Sequence, residues 1–387
     1  MKKYVQTATC AALISVCLLG CGNQELDKPT QTPDTKESTA AVSTTGAAED
    51  ATVGESSGPR TQHVTQDLAE NLTIDAEAVI PGRTQYSTYT LKMVDGDPDR
   101  LFGIFCPEGY GSFTKEDRSY PGSSVFAYKA SDGKVLVVQD NHIDYSSYDI
   151  ETGNQPMQEI ATLMYYHTQE HPDAQPHDLS FMTVAEMESF CKTILTQLGV
   201  AWEPKLNQCV TLSGQEILDF QQEMFGKSHY TEMGQSPMQL TDAKDTCYLE
   251  FSFSLDGIPL FGPEEPTISF MDGVIPPSAV TATIMINADG IQDFSLQGIC
   301  AVASASDPQT VLTLEEAITA LKNKYDVEIL FGTQKITDIW MEYIPVKQGE
   351  SIVLTPYWCF KNIDESGEYA SADRINAITG KDLAYGG

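Results

Sequence analysis

The chain has 387 residues, and its 23 Lys and Arg against 55 Asp and Glu give a formal net charge of -32. The length is enough for a substantial core and for two domains or sub-domains. Because so acidic a chain repels phosphate backbones and anionic headgroups, the composition disfavours nucleic acid as a partner and direct binding to a lipid surface.

The first 20 residues have the layout of an export signal. Lys2 and Lys3 are followed by an apolar run over residues 8–19, and Gly20 precedes Cys21. This run is shorter than the roughly 20 apolar residues that a membrane-spanning helix needs. We therefore predict a cleaved signal peptide over residues 1–20.

Leu18-Leu19-Gly20-Cys21 resembles the lipobox of bacterial lipoprotein precursors. The resemblance implies cleavage before Cys21, a diacylglycerol on its thiol, and a lipid-anchored protein on the extracytoplasmic face of the cell membrane. Only a thiol can form this thioether. An ordinary signal peptide followed by an incidental cysteine is the alternative interpretation.

The composition changes after the signal. Residues 21–66 are rich in Ser, Thr, Ala, Gly and Glu and contain no aromatic residue, which leaves too little apolar surface to offset the entropy of ordering. We predict a disordered tether over 21–66, an N-terminal α+β sub-domain over 67–178, and one or more C-terminal α+β sub-domains over 179–387.

In the N-terminal part, alternating apolar residues predict several strands before a helix. The predicted strands are 87–94, 124–128, 135–139 and 143–148. Residues 157–170 have apolar side chains at helical spacing, and Pro172 follows them. We expect a helix that ends before this proline.

Three later helix starts contain a capping box, in which a hydroxyl and a Glu three residues on satisfy free backbone N–H groups. The pairs are Thr183 with Glu186, Ser213 with Glu216, and Thr313 with Glu316. Strands are predicted around them at 247–255, 258–261, 280–286, 291–299, 337–346, 352–360 and 374–378. The pattern predicts an α+β fold with antiparallel sheets and amphipathic helices packed on them.

The C-terminal segments ITDIWMEYIPV, IVLTPYWCF and residues 375–381 resemble PepSY-like modules and YycH/YycI-type extracytoplasmic regulators, and the whole layout is similar to uncharacterised surface lipoproteins of Firmicutes. The resemblance implies repeated helix-plus-meander units and a non-enzymatic binding or regulatory module for a protein or peptide partner. YycH/YycI proteins keep an uncleaved transmembrane helix, whereas this chain is predicted to be lipid-anchored, which argues against a kinase partner.

The alternative function is a cell-surface hydrolase. His167-Thr-Gln-Glu170-His171 is similar to the HxxEH motif of inverzincin peptidases, in which two His bind zinc and the Glu activates water. Because Pro172 disfavours helical geometry at the residue before it, we expect the two His not to share a face. The prediction is therefore no enzyme, no metal and no cofactor. A carrier of a small ligand is the third hypothesis.

Six cysteines follow the tether: Cys106, Cys191, Cys209, Cys247, Cys300 and Cys359. Export would permit disulfides among them, whereas their apolar neighbours suit small buried side chains equally well. No CxxC pair indicates metal binding or redox catalysis. The sequence leaves both states of these cysteines open.

Overall fold

The computed structural model of the chain describes residues 58–93, 96–120, 124–139, 142–148, 156–225, 227, 239–261, 280–298, 300–326, 332–348, 351–367 and 370–383. Residues Gly58–Gly387 form one compact unit. The predicted signal, Cys21 and most of the predicted tether lie outside the described residues. In the described part of the chain, no helix is long and apolar enough to cross a membrane.

The described helices are α1 (Pro98–Phe105), α2 (Pro156–Glu170), α3 (Val184–Gln197), α4 (Gly214–Met224) and α5 (Leu314–Tyr325). The three predicted capping boxes are confirmed at the starts of α3, α4 and α5, where each hydroxyl accepts from the Glu backbone N–H and each Glu carboxylate accepts from the capping residue's N–H. Local sequence therefore fixes where these helices begin.

The described strands are β1 (Arg60–Ala69), β2 (Leu72–Ile80), β3 (Gln85–Tyr86), β4 (Tyr89–Met93), β5 (Phe113–Asp117), β6 (Val125–Ala130), β7 (Val135–Gln139), β8 (His142–Ser146), β9 (Glu203–Leu212), β10 (Thr246–Leu255), β11 (Ile258–Pro259), β12 (Thr281–Asn287), β13 (Gly290–Gln297), β14 (Cys300–Ala305), β15 (Gln309–Thr310), β16 (Gln334–Gln348), β17 (Ser351–Asp364) and β18 (Ala370–Asn376).

They form two large sheets. The seven-stranded sheet has the order β1-β2-β16-β17-β4-β14, with β18 beside β17. The nine-stranded sheet has the order β11-β10-β12-β13-β8-β7-β6-β5, with β9 beside β10. Strands β3 and β15 pair separately. The pairs are antiparallel except for β2 with β16, which are parallel. The predicted α+β class with antiparallel sheets is confirmed.

A helix followed by a three-stranded antiparallel meander occurs twice. Helix α4 precedes the neighbours β10, β12 and β13, and α5 precedes the neighbours β16, β17 and β18. The strands of both units contribute buried residues to one main core. Stacking of such units around a shared interior is the usual way to bury both faces.

The main core contains buried residues of both sheets and of α1, α3 and α5. Strand β10 illustrates the contribution of the nine-stranded sheet, because its alternate residues Leu249, Phe251 and Phe253 are buried there. A second apolar cluster joins α2 and α4 to residues such as Val210 and Met285. The nine-stranded sheet is therefore packed on both faces near β9.

Two predicted boundaries differ from the structure. Strand β1 begins at Arg60, inside the predicted tether 21–66; its exposed polar residues give it the composition of a tether although it pairs with β2. Both large sheets also contain strands from each side of position 178. Because strand pairing joins segments that are distant in sequence, the predicted division into 67–178 and 179–387 does not separate two cores.

Candidate functional site

A polar groove lies where the C-terminal end of α2 approaches the nine-stranded sheet. Its volume is about 410 Å³, a size typical of ligand sites. We call it the β9 groove, and its lining residues are His167, His171, Pro172, Ala174, Gln175, Pro176, Asn207, Gln208, Cys209, Val210, Thr211 and Glu250.

One wall of the groove is an edge strand. Strand β9 pairs with β10 and with no other described strand. Gln208 lies opposite Glu250 and Leu206 lies opposite Phe251, so that Asn207 is an extra residue in the ladder. Such a bulge increases the local twist and redirects side chains. The edge of β9 that does not pair with β10 therefore presents backbone N–H and C=O groups beside the groove, together with the redirected side-chain amide of Asn207.

The opposite wall is the connector after α2. The backbone N–H of His171 donates to the carbonyl of His167 (2.9 Å), and that of Ala174 donates to the carbonyl of His171 (3.0 Å). The backbone N–H of His177 donates to Oγ1 of Thr211 on β9 (2.7 Å). These bonds fix the connector alongside the sheet edge and leave the groove between them.

The two His rings of the HTQEH segment face each other. The ring centroids of His167 and His171 are 4.7 Å apart, and the Phe220 ring lies 5.0 Å and 5.5 Å from them. The prediction that Pro172 would separate the two His was wrong. Proline restricts the backbone of the preceding residue, but the His171 N–H still completes the helical hydrogen bond, and its ring follows the i, i+4 spacing.

Burial controls the protonation of this pair. The pKa of His167 is lowered, first by burial and then by the neighbouring His171. Its Nδ1 atom is buried and has no hydrogen-bond partner among the described residues. Nε2 of His171 lies 3.7 Å from Oε2 of Glu223, and both side chains are more than two-fifths exposed. His167 is therefore a neutral ring at pH 7.

Carboxylates surround the rim. Nε2 of His177 lies 3.3 Å from Oε2 of Glu216. Burial opposes the charge of Glu216, but the hydrogen bonds from Ser213 and the nearby imidazoles lower its pKa overall. Glu223 also has a lowered pKa, chiefly through its hydrogen bond with Lys227. Both carboxylates are thus ionised near neutral pH, and Lys227 balances part of their charge.

Glu170, the carboxylate of the HTQEH segment, forms an ion pair with Lys227. Oε2 of Glu170 lies 2.6 Å from Nζ of Lys227, which also contacts Glu223 at 2.9 Å, and Glu170 does not line the groove. The described residues contain no group of three His, Cys, Asp or Glu side chains arranged to hold a metal ion. The structure thus brings His167 and His171 together and leaves Glu170 in an ion pair.

A second polar cluster lies on the nine-stranded sheet. Asp293 accepts hydrogen bonds from Ser146 and Tyr148, each at 3.0 Å. Burial raises its pKa to about 7, and the nearby Asp144 adds to the shift, although the two hydroxyl groups oppose it. Nε2 of His142 contacts Asp144 at 2.8 Å. Asp293 is thus a carboxyl group of the sheet that titrates near neutral pH.

The groove can bind a polar or extended ligand through amides, imidazoles and one carboxylate. Sequence reasoning identified His167 and His171 but did not predict β9, which supplies Asn207, Gln208 and Cys209. The alternation in residues 203–212 was the available signal, and the bulge at Asn207 interrupts it. Cys21, the predicted lipid-attachment residue, lies outside the described residues.

Comparisons with known proteins give no family. No protein-family model matches the chain, and no curated protein matches it. Among solved structures, an uncharacterised protein from Eubacterium rectale is similar with a TM-score of 0.49 and 13% identity over 84% of this chain and 93% of that one. The Bacillus megaterium YpeB C-terminal domain is similar with a TM-score of 0.26 and 8% identity over 76% of this chain and 97% of that one.

Proposed function

We propose that this chain is a lipid-anchored extracytoplasmic binding protein whose β9 groove receives an extended segment of a protein or peptide partner. The observation that carries the proposal is the position of the groove along the free edge of β9. An extended peptide can add to such an edge, where main-chain hydrogen bonds supply affinity and neighbouring side chains supply specificity.

The groove also suggests the chemistry of that segment. Glu250 lines it, and Glu216 and Glu223 lie beside its His residues. The whole chain carries a formal net charge of -32. A basic segment is therefore attracted at long range and pairs with the rim carboxylates, whereas a nucleic acid is repelled.

The anchor is the other part of the proposal. Cys21 carries the lipid that holds the protein on the outer face of the membrane. We expect an alkyne-labelled fatty acid fed to the cells to appear on the wild-type chain and not on Cys21→Ser. Labelling of both chains, or of neither, would contradict the anchor.

A non-enzymatic role is also part of the proposal, since Glu170 pairs with Lys227 instead of facing the two His rings. Zinc analysis of the purified full chain tests this directly. We expect no stoichiometric zinc in the wild type. Zinc that is present in the wild type and absent from His167→Ala would favour the peptidase alternative.

Site-specific photo-crosslinking tests the groove itself. A photoreactive amino acid replaces the exposed groove residue Gln175 in the full chain on living cells, and a matched control carries it at the exposed Thr114 on β5, the opposite edge of the sheet. We expect a discrete protein or peptide adduct from position 175 alone. No adduct at 175, or the same adduct from both positions, would overturn the proposal.

A further inference from the structure

Three cysteines converge beside the β9 groove. Cys209 lies on β9 and lines the groove, Cys247 lies on the neighbouring β10, and Cys191 lies on α3. Cys191 and Cys247 are fully buried, whereas Cys209 is partly exposed. All three are free thiols. Of these three cysteines, Cys209 is partly exposed and lies at the groove, and the other two are buried.

Strand register places two of these thiols in contact. Cys209 lies opposite Leu249, and Cys247 lies opposite Thr211, so the two cysteines are diagonal neighbours on one face of the β9–β10 pair. Their sulfur atoms are 3.9 Å apart. A disulfide requires about 2.0 Å, so side-chain rotation and a small movement of the edge strand must bring the sulfurs about 2 Å closer.

The two thiols have different reactivities. The hydrogen bond from Cys247 lowers the pKa of Cys209 despite its partial burial. The same bond raises the pKa of Cys247, and burial raises it further. A thiolate is the nucleophile in thiol chemistry. Accessibility and hydrogen bonding thus both select Cys209 as the attacking sulfur and Cys247 as the second one.

We propose that Cys209 and Cys247 form a reversible thiol–disulfide exchange site whose reactant is a low-molecular-weight disulfide entering through the β9 groove. The Cys209 thiolate attacks one sulfur of the external disulfide, whose S–S bond breaks and releases one thiolate. Cys247 then gives its proton to a released thiolate and attacks the Cys209 sulfur. The mixed disulfide breaks, and the second external sulfur leaves as a thiolate, which takes from water the proton that Cys209 had given up before its attack. Two protein thiols are oxidised, and one external disulfide is reduced to two thiols.

The product would connect the edge strand to the strand beside it. In the oxidised state the Cys209–Cys247 bond fixes β9 against β10 at the floor of the groove, whereas in the reduced state the edge can still shift. The proposed extracytoplasmic location would supply oxidants of this class. The exchange does not depend on peptide binding, so it can be confirmed or refuted whether or not the groove has a peptide partner.

Two other cysteines provide matched controls. The sulfur of Cys106 lies 3.0 Å from the Tyr145 hydroxyl group, and that of Cys359 lies 3.1 Å from Oε1 of Glu342. Both side chains are buried, and burial raises the pKa of Cys106. They should exchange far more slowly than Cys209.

Peptide mapping of the full chain after incubation with oxidised glutathione tests the proposal. We expect a Cys209–Cys247 disulfide in the wild type, a glutathione adduct on Cys209 in Cys247→Ser, and neither product in Cys209→Ser. Cys106→Ser should behave as the wild type. A bond from Cys209 to Cys191, or modification of Cys209 no faster than of Cys106, would overturn it. The wild-type map alone decides the pairing if a variant fails to fold.

Discussion

The β9 groove and the buried cluster around Glu342 use similar side chains in opposite ways. In that cluster Arg374 Nε and Glu342 Oε1 are 3.2 Å apart with side chains only 2% and 3% exposed. Trp340 Nε1 donates to the other carboxylate oxygen at 3.2 Å. At the rim of the groove, by contrast, His171 and Glu223 are 3.7 Å apart, and their side chains are 41% and 48% exposed. Buried charges whose hydrogen bonds are all made hold strands together. Partly exposed groups with long ion-pair distances can still be reached by a ligand.

The largest effect should come from Glu342→Ala. The change leaves Arg374 buried without its carboxylate partner, and we expect the free energy of unfolding to fall by about 3 to 5 kcal/mol. Urea unfolding of the full chain measures it. The double variant Glu342→Met with Arg374→Met should recover most of the loss, because no buried charge remains. Equal loss in the single and double variants would show that the pair does not hold these strands.

A pH-dependent effect should follow from Asp293→Asn. The native carboxyl group keeps its proton up to about pH 7, whereas the unfolded group releases it near 3.8, the ordinary pKa of an aspartate. The native state therefore binds more protons between these values, and the wild-type free energy of unfolding falls as the pH rises from 4 to 7. One pKa unit is worth about 1.4 kcal/mol, so the whole shift sets an upper limit of about 4 kcal/mol. Because Asp293 is only partly buried, the variant should reduce the fall by roughly 1 to 3 kcal/mol.

Asp144→Asn is the matched variant for that measurement. It removes the neighbouring charge but leaves the partial burial of Asp293 unchanged, and burial is the larger cause of the raised pKa. Only part of the pH-dependent fall should disappear. The account of Asp293 would be contradicted if Asp144→Asn removed the whole fall, or if Asp293→Asn left the pH dependence unchanged.

A smaller loss should follow from Ser213→Ala. This hydroxyl caps α4 and accepts from the Glu216 backbone N–H. Its removal should cost about 1 kcal/mol of unfolding free energy. Ser189→Ala, on the exposed side of α3, is the control, and its change should stay within about 0.5 kcal/mol. Thermal unfolding measures both variants. Equal shifts of the melting temperature in Ser213→Ala and Ser189→Ala would contradict the capping account.

The smallest effect should come from His171→Ala in the groove rim. The side chain is exposed and loosely paired, so its removal should change the free energy of unfolding by less than about 0.5 kcal/mol. Phe220→Ala, which removes the buried ring under both His residues, should cost about 3 kcal/mol. If His171→Ala were as damaging as Phe220→Ala, the rim would be part of the structural framework and not a free surface.

Local sequence signals predicted the parts of the fold that depend on neighbouring residues. The capping residues Thr183, Ser213 and Thr313 each begin a helix as predicted, and residues 135–139 form β7 with the predicted bounds. Helix α1 was not predicted, although Asp97 caps it and Pro98 occupies its first turn.

The candidate site was harder to predict because it depends on distant residues. Strand β9 contains Pro204 and a bulge at Asn207, which obscure its alternation. Its edge position follows from pairing with β10, which lies some 40 residues later in the chain. No local sequence pattern predicts this pairing. The contact between Cys209 and Cys247 depends on the same register. The HTQEH segment was found, yet its neighbours across the groove were not.

Peptide binding to the full chain tests the central claim most directly. Peptides that bind the wild type are selected from a displayed library. Their affinities are then measured for two variants. Asn207→Trp fills the groove from an exposed position, and Thr114→Trp is its control on the opposite edge of the sheet. We predict basic peptides whose affinity falls at least about tenfold, or 1.4 kcal/mol, in Asn207→Trp alone. No enriched peptide, or equal affinity for both variants, would contradict a binding site along β9.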